Sequence, residues 1–543
     1  MYKEVKSDAG KRPGRVSRSV PGPRTAGRIL SAAVLLAAAG TLVTGASLLV
    51  PGTTSRPLEA PLVAVPAGQS ISVCPGPARL LEGTPVGTDP QFSPESATAA
   101  TSLNAVVLSS DSGVVPASRL APLGGSPLTE IAPEPAADAT EPATGTPVLR
   151  AGVVAGLGVS DVSALSAEPL DNRQPAAGAV VSYAAADGDL RGSAAASCQR
   201  PGNDLWLVGA NTALGRSAIL NLSNPSSTPA TVSLELFGAA GQIQAPGSRG
   251  LLVGPGTSRA IILGGLAPGQ ERLSVRVQSD GGPVAAHIQQ SVLRGLTPGG
   301  VDFITPGAAP AIRQVITGLE VQDPQALAGL TSGPGYADAA PALQLTVPGT
   351  ADAVVEINLY GRDGRRALPG GGVITVKAGS VTEVSLQGVP AGLYTVAASS
   401  DVSFAAAARS TRGLSADDAI DIAWSPAAAR LGSQHVVPVP ATGDRRLVFG
   451  APEGRTTISY TPITADGVIG AAAAVDIAGG TTTFVQVPGD VGGSPVVGYL
   501  VSAAGDPAYG AVLLLQDGTQ DISILTVAPE AGGQEQIPVT LGY

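Results

Sequence analysis

The run TVSLELF, residues Thr231–Phe237, places Val232, Leu234 and Leu236 at every second position, with Ser233 and Glu235 between them. A period of two belongs to a strand with one buried face; an amphipathic helix needs apolar residues three and four apart. A glycine-containing turn, Gly238-Ala239-Ala240-Gly241, follows at once. The same unit returns further along the chain. Val355, Ile357, Leu359 and Tyr360 stand where Val232, Leu234, Leu236 and Phe237 stood, a constant offset of 123, and Gly361-Arg362-Asp363-Gly364 supplies the turn. Ile458, Tyr460 and Asp466-Gly467 play these parts in a third, more diverged copy. Alternation repeated between turns predicts a mainly β protein of tandem, immunoglobulin-like antiparallel β-sandwich units.

Further landmarks set the unit boundaries. Leu266-Ala267-Pro268-Gly269 and Val389-Pro390-Ala391-Gly392 each precede a strand, at 273–278 and 393–398, and Val487-Pro488-Gly489 occupies the same place in the last copy. The units close on Asp302-Phe303-Ile304-Thr305-Pro306, on Asp421-Ile422-Ala423-Trp424-Ser425-Pro426 and on Asp521 through Pro529. Units at 204–308, 309–428 and 429–543 follow, each long enough for its own core. Residues 60–203 carry strand-like runs at 70–74, 105–109 and 180–184 and are expected to form a fourth, degenerate sandwich. Within it, the acidic Pro/Ala-rich stretch 122–147 reads as a loosely held loop.

Composition narrows the function. The 543 residues include 71 Gly and 47 Pro but only two His, two Cys and one Met. Long helices are disfavoured throughout, and the usual ligand sets of zinc clusters, haem and iron–sulfur centres are missing. No cofactor is expected. Residues 1–28 hold eight of the 32 Lys and Arg but only two of the 42 Asp and Glu, so the rest of the chain carries a net charge of −16 and a single lysine, Lys377. So acidic a surface disfavours nucleic acid as a partner.

After that basic head comes Ile29–Val50, 22 residues without a charge. As a helix it would reach roughly 33 Å, enough to cross a hydrocarbon core of about 30 Å. The expectation is a basic cytoplasmic tail (1–28), a single transmembrane signal anchor in the lipid bilayer (29–50), a linker (51–59) and an extracytoplasmic bulk. A cleavable signal peptide is the alternative, with Thr44-Gly45-Ala46 as a small-x-small site, although the apolar run is longer than such peptides use. Both place the bulk outside the cytoplasm. There the two cysteines, Cys74 and Cys198, are expected to form a disulfide.

The candidate reactive residues favour structure over chemistry. Trp206 and Trp424 could offer sugar-stacking faces, but their Leu, Val and Ile neighbours favour core packing. His287 falls on the face opposite Val284, Ala286 and Ile288 and is expected at the surface. His435 opens a strand with no second His or Cys nearby, so general acid–base chemistry has little support. Asp352, Glu356, Asp363, Glu383, Asp417, Asp418 and Asp421 crowd one unit and could serve a glycosidase, which needs two carboxylates. Asp417-Asp418 lacks the alternating pattern of a calcium loop. Gly299-Gly300 and Gly370-Gly371-Gly372 do not open a helix as a phosphate-binding loop would. No catalytic, cofactor-binding or metal site is assigned.

The segments SVCPGPARLL around Cys74, GDLRGSAAASCQRPGNDLWLVGANTALGR from Gly188 to Arg216 and LNLSNPSSTPATVSLELFG from Leu220 carry a resemblance. With the basic head and single span, they resemble the exported actinobacterial proteins grouped as domain of unknown function 5719. The resemblance implies an envelope protein with an extracytoplasmic β-rich region, in the setting of envelope glycan assembly, and brings no activity or catalytic residues. The expected function is therefore a non-enzymatic, membrane-anchored scaffold or binding protein of the cell envelope, with an envelope protein or glycan as partner. The alternatives are an envelope hydrolase or glycan-modifying enzyme using paired carboxylates, and a carbohydrate-binding adhesin.

Overall fold

The computed structural model describes residues 62–64, 67–81, 93–134, 149–416, 418–441, 443–516, 518–529 and 536–538. The basic head, the apolar stretch 29–50 and the linker lie outside them, and no helix among the described residues is long and apolar enough to cross a membrane. The chain falls into two compact units, 1–63 with 536–543 and 64–535. Leu62–Ala64 and Gln536–Pro538 pair as a separate two-stranded sheet. The larger unit is mainly β, and all its named sheets are antiparallel.

In the stretch TVSLELF, the strand Ala230–Gly238 buries Val232, Leu234 and Leu236 and leaves Ser233 and Glu235 half-exposed. It pairs with Leu273–Gly281, Leu234 opposite Val277. With Asp204–Ala210, Gly241–Ile243 and Leu251–Val253 these strands form one sheet; Thr257–Ile262, Arg216–Asn224, Ala285–Arg294 and Thr297–Ile304 form its companion. The apolar faces of both sheets make one core around Leu207, Leu220, Leu222, Leu236, Val275 and Ile288. Two further sheet pairs repeat the plan. In one, the 21-residue strand Gly392–Arg412 runs through both sheets, pairing with Ala353–Gly361 in its first half and with Ala342–Thr346 in its second. In the other, Thr456–Thr464 pairs with Ser494–Gly505 and Asp444–Ala451 with Tyr509–Leu515.

The region 70–197 also forms two four-stranded sheets, around Leu103, Val107, Leu120, Leu165 and Val181. Part of the stretch expected to be loose is regular: Thr129–Ala132 pairs with Ser118–Pro122 because Leu120 anchors the latter in the core. Residues 135–148 lie outside the described residues.

The four pairs are consecutive in sequence and closed in space. The last strand of each pair is an edge strand: β1 (Gly192–Ser197), β2 (Thr297–Ile304), β3 (Asp421–Pro426) and β4 (Ile522–Thr526). β1 packs on β2, β2 on β3, β3 on β4 and β4 on β1, which makes a ring. Apolar clusters cross the seams. Tyr183, Leu190 and Ala194 meet Val301 and Phe303; Ala423 meets Val448, Leu513 and Ile524; Val106 and Leu108 meet Val436 and Val497.

Ring closure corrects the expectation for His287. It is 8% exposed, edge-on to Phe303, and burial pushes its pKa down to about 4. Alternation assigned it to the second face of its strand, but segment 78–80 covers that face. There Gln289 accepts from the Arg79 N–H (2.9 Å) and donates to the Arg79 carbonyl (2.7 Å).

Candidate binding site

An edge strand facing the inside of a ring has backbone N–H groups that neither a ladder nor water satisfies, and such groups are costly to leave unpaired. Here side chains satisfy them. Asp421, the first residue of β3, is 1% exposed. Its Oδ2 accepts from the N–H groups of Ser193 in β1 and Ile522 in β4, both at 3.0 Å, and its Oδ1 from Val301 in β2 at 3.2 Å. One carboxylate thus ties its own strand to the other three. Asp302 in β2 answers across the seam with β3 by accepting from the Trp424 N–H at 2.7 Å. Between β1 and β4, Ser523 Oγ donates to the Ser193 carbonyl (3.0 Å) and Ser197 Oγ to the Thr526 carbonyl (3.2 Å). Burial pushes the Asp421 carboxyl well above its usual range, opposed by the Ile522 N–H bond and reinforced by Asp521. Burial likewise pushes Asp302 up to about 7, against the N–H bonds from Trp424 and Phe303.

The same four strands end at the opposite pole of the ring, around a cavity of about 240 Å³. Ser197 ends β1 there and Cys198 to Arg200 follow it, Thr305 to Ala308 follow β2, Ala427 to Ala429 follow β3, and Thr526 to Pro529 end or follow β4; Ser72, Leu205, Ala177 to Ala179 and Val436 to Pro438 add to the wall. The room exists because these residues are small. Three of their backbone N–H groups are engaged, that of Ala308 by the Ala427 carbonyl (2.7 Å), that of Gly307 by the Trp206 carbonyl (3.0 Å) and that of Ala428 by the Val315 carbonyl (2.9 Å). His435 stands behind the wall. Its Nδ1 lies 2.9 Å from the Ala528 carbonyl, so it donates there, and its Nε2 accepts from the Gly432 N–H at 2.6 Å. That pattern requires the neutral ring and makes it a brace. Cys198 sits at disulfide distance from Cys74, S–S 2.04 Å.

The carboxylates of the third pair do not converge. Asp352 pairs with Lys377 (2.6 Å), Glu356 with Arg365 (4.0 Å), Asp363 with Arg366 (2.9 Å) and Glu383 with Arg409 (3.3 Å). Asp418 accepts from the N–H groups of Leu414 and Ser415, and Asp417 lies outside the described residues. Among the described residues no group of three His, Cys, Asp or Glu side chains could hold a metal ion. Trp206 and Trp424 are each 4% exposed, Trp206 stacked on Phe237 and Trp424 under the Arg409 guanidinium. Neither offers a sugar-stacking face.

Sequence reasoning missed the ring and its cavity. A signal was present: three units close on Asp followed by an apolar run, and in DIAWSP that charged residue opens a strand buried at every position. The family of unknown function DUF5719 matches residues 153–488, more than half of the chain, and the chain belongs to that family. No curated protein and no solved structure matches it.

Proposed function

We propose that this DUF5719-family chain is a non-enzymatic binding protein or scaffold that works outside the cytoplasm, with the cavity at the pole of its ring as the binding site. The observation that carries this reading is the cavity itself: all four sheet pairs contribute walls to it, and none contributes a set of reactive side chains. Pockets formed where several units meet are a common place for ligands. In this reading the sheet pairs are immunoglobulin-like modules, and residues 29–50 hold them at the membrane as a single span with 1–28 inside. The oxidisable pair Cys74 and Cys198 supports an exported location, because disulfides persist in oxidising compartments. The cell envelope, and glycan assembly within it, is the setting.

The test is site-specific photocrosslinking in intact cells from Ala429 at the cavity wall, compared with Val354 on an exposed strand face far along the chain. A reproducible adduct from Ala429 that Val354 does not give is the expected result. Equal labelling from both positions removes the cavity from the function. Protease accessibility of a carboxyl-terminal tag in whole cells tests the topology, and a tag protected until the membrane is broken would reverse it.

A further inference from the structure

We infer that the cavity takes an extended, uncharged aliphatic segment of a partner protein, with the Gln199 carboxamide bonding its backbone; this rests on the cavity being the binding site. Two features of the lining set the ligand class. Much of it is carbon, from side chains such as Ala177, Pro306, Val437 and Val527, and its one charged residue, Arg200, is exposed to solvent. The other polar side chains are neutral, among them the hydroxyls of Ser72 and Thr305 and the carboxamide of Gln199. Gln199 Oε1 is buried and has no hydrogen-bond partner among the described residues. A buried acceptor left so is costly, so the occupant has to bring a donor as well as apolar surface.

An alkyl chain brings no donor. A sugar brings hydroxyls on every side of its ring to a wall that is largely carbon, and no aromatic ring lines the cavity to stack on it. An extended peptide brings both. In a strand the N–H and C=O of one residue point to the same side, so a carboxamide, which donates and accepts, can bond both at once. Strand-like peptides are commonly held in this way, by their main chain and by pockets for alternate side chains. The cavity of about 240 Å³ exceeds the roughly 150 Å³ of a dry cavity that accepts benzene, which leaves room for about one or two aliphatic side chains and none for a folded domain. Gln199 is also held in place. Its N–H donates to the Val73 carbonyl (2.8 Å) and its carbonyl accepts from the Val73 N–H (2.7 Å), while the adjoining Cys198 stands at disulfide distance from Cys74.

The test uses the full chain in nanodiscs and a capped hexapeptide of alternating valine and glycine, with one valine replaced by photo-leucine, followed by peptide mapping. The expected adducts fall within 177–179, 427–429, 436–438 and 526–529. The unlabelled hexapeptide should displace the probe. Its backbone N-methylated form, which keeps the side chains but has no N–H, should compete roughly five- to tenfold less well. Gln199→Leu should erase that difference, and Ala428→Phe should abolish labelling by filling the cavity. An N-methylated peptide that competes as well as its parent on the wild-type chain would overturn the inference. Decanol or chitotriose displacing the probe better than the hexapeptide would overturn it too, in favour of an alkyl chain or a glycan. No adduct in the cavity, while Ala429 still captures a neighbour in cells, would overturn the peptide and leave the binding-protein reading intact.

Discussion

Asp421 shows what one residue does when a ring closes around it. Three N–H groups from three other strands converge on its carboxylate, so Asp421→Ala leaves three buried donors unpaired. The expected loss is at least about 3 kcal/mol of unfolding free energy, since each such orphan costs roughly 1–3 kcal/mol; urea denaturation measures it. Gly300 is required beside it. Its φ of +105° and a Cβ that would collide with Asp421 Oδ1 make Gly300→Ala costly for the same reason. Two buried groups also give opposing pH dependences. Asp302 is raised to about 7 in the folded state, so its contribution is complete below about pH 3.8 and is lost as pH rises towards 7. His287 is lowered to about 4, so its contribution is complete above about pH 6.5 and is lost as pH falls towards 4. Asp302→Asn keeps an acceptor for the Trp424 N–H, and its stability relative to wild type should improve as pH rises from 4 to 8. His287→Gln should improve relative to wild type as pH falls over the same range. Parallel profiles for all three proteins would contradict both assignments.

At the scale of elements, alternation was readable where only one face of a strand is buried. TVSLELF and its copy around Val355 to Tyr360 have the pattern their sequences imply, buried residues alternating with exposed ones. The inner strands were legible only as recurring unit ends. DIAWSP is buried at all six positions, and a strand covered on both faces has no period from which to read its neighbours. His287 was misplaced for that reason. The helix Pro324–Thr331 was also missed, although Asp323 followed by proline is a helix start: the carboxylate accepts from the N–H groups of Gln325 and Ala326. The expected pair Cys74 and Cys198, 124 positions apart, stands at disulfide distance between the first strand of its sandwich and the residue after β1. Replacing both by Ser should lower stability by about 2–4 kcal/mol through the freed loop. Equal melting temperatures with and without reductant would contradict a structural role.

For the whole molecule, closure matters more than repetition. Arrays whose units touch only sequence neighbours unfold in steps, whereas here the fourth sheet pair packs on the first as well as the third. Truncation before Asp521 removes β4 and should destabilise the first pair as well as the fourth, seen as hydrogen exchange accelerating within 177–197. The recurring Asp at the unit ends was the ring's one trace in the sequence; its closure and the cavity at its pole depend on contacts between residues hundreds of positions apart.

The most direct test joins two such residues. Ser193 and Ser523 stand with their hydroxyl oxygens 3.2 Å apart across the seam between β1 and β4. In the full chain carrying Ser193→Cys and Ser523→Cys, with Cys74 and Cys198 replaced by Ser, mild oxidation should give one intramolecular disulfide, found by mass spectrometry as a linked pair of peptides 330 residues apart. Two cysteines that stay free, or that link only separate molecules, would mean that the ring does not close.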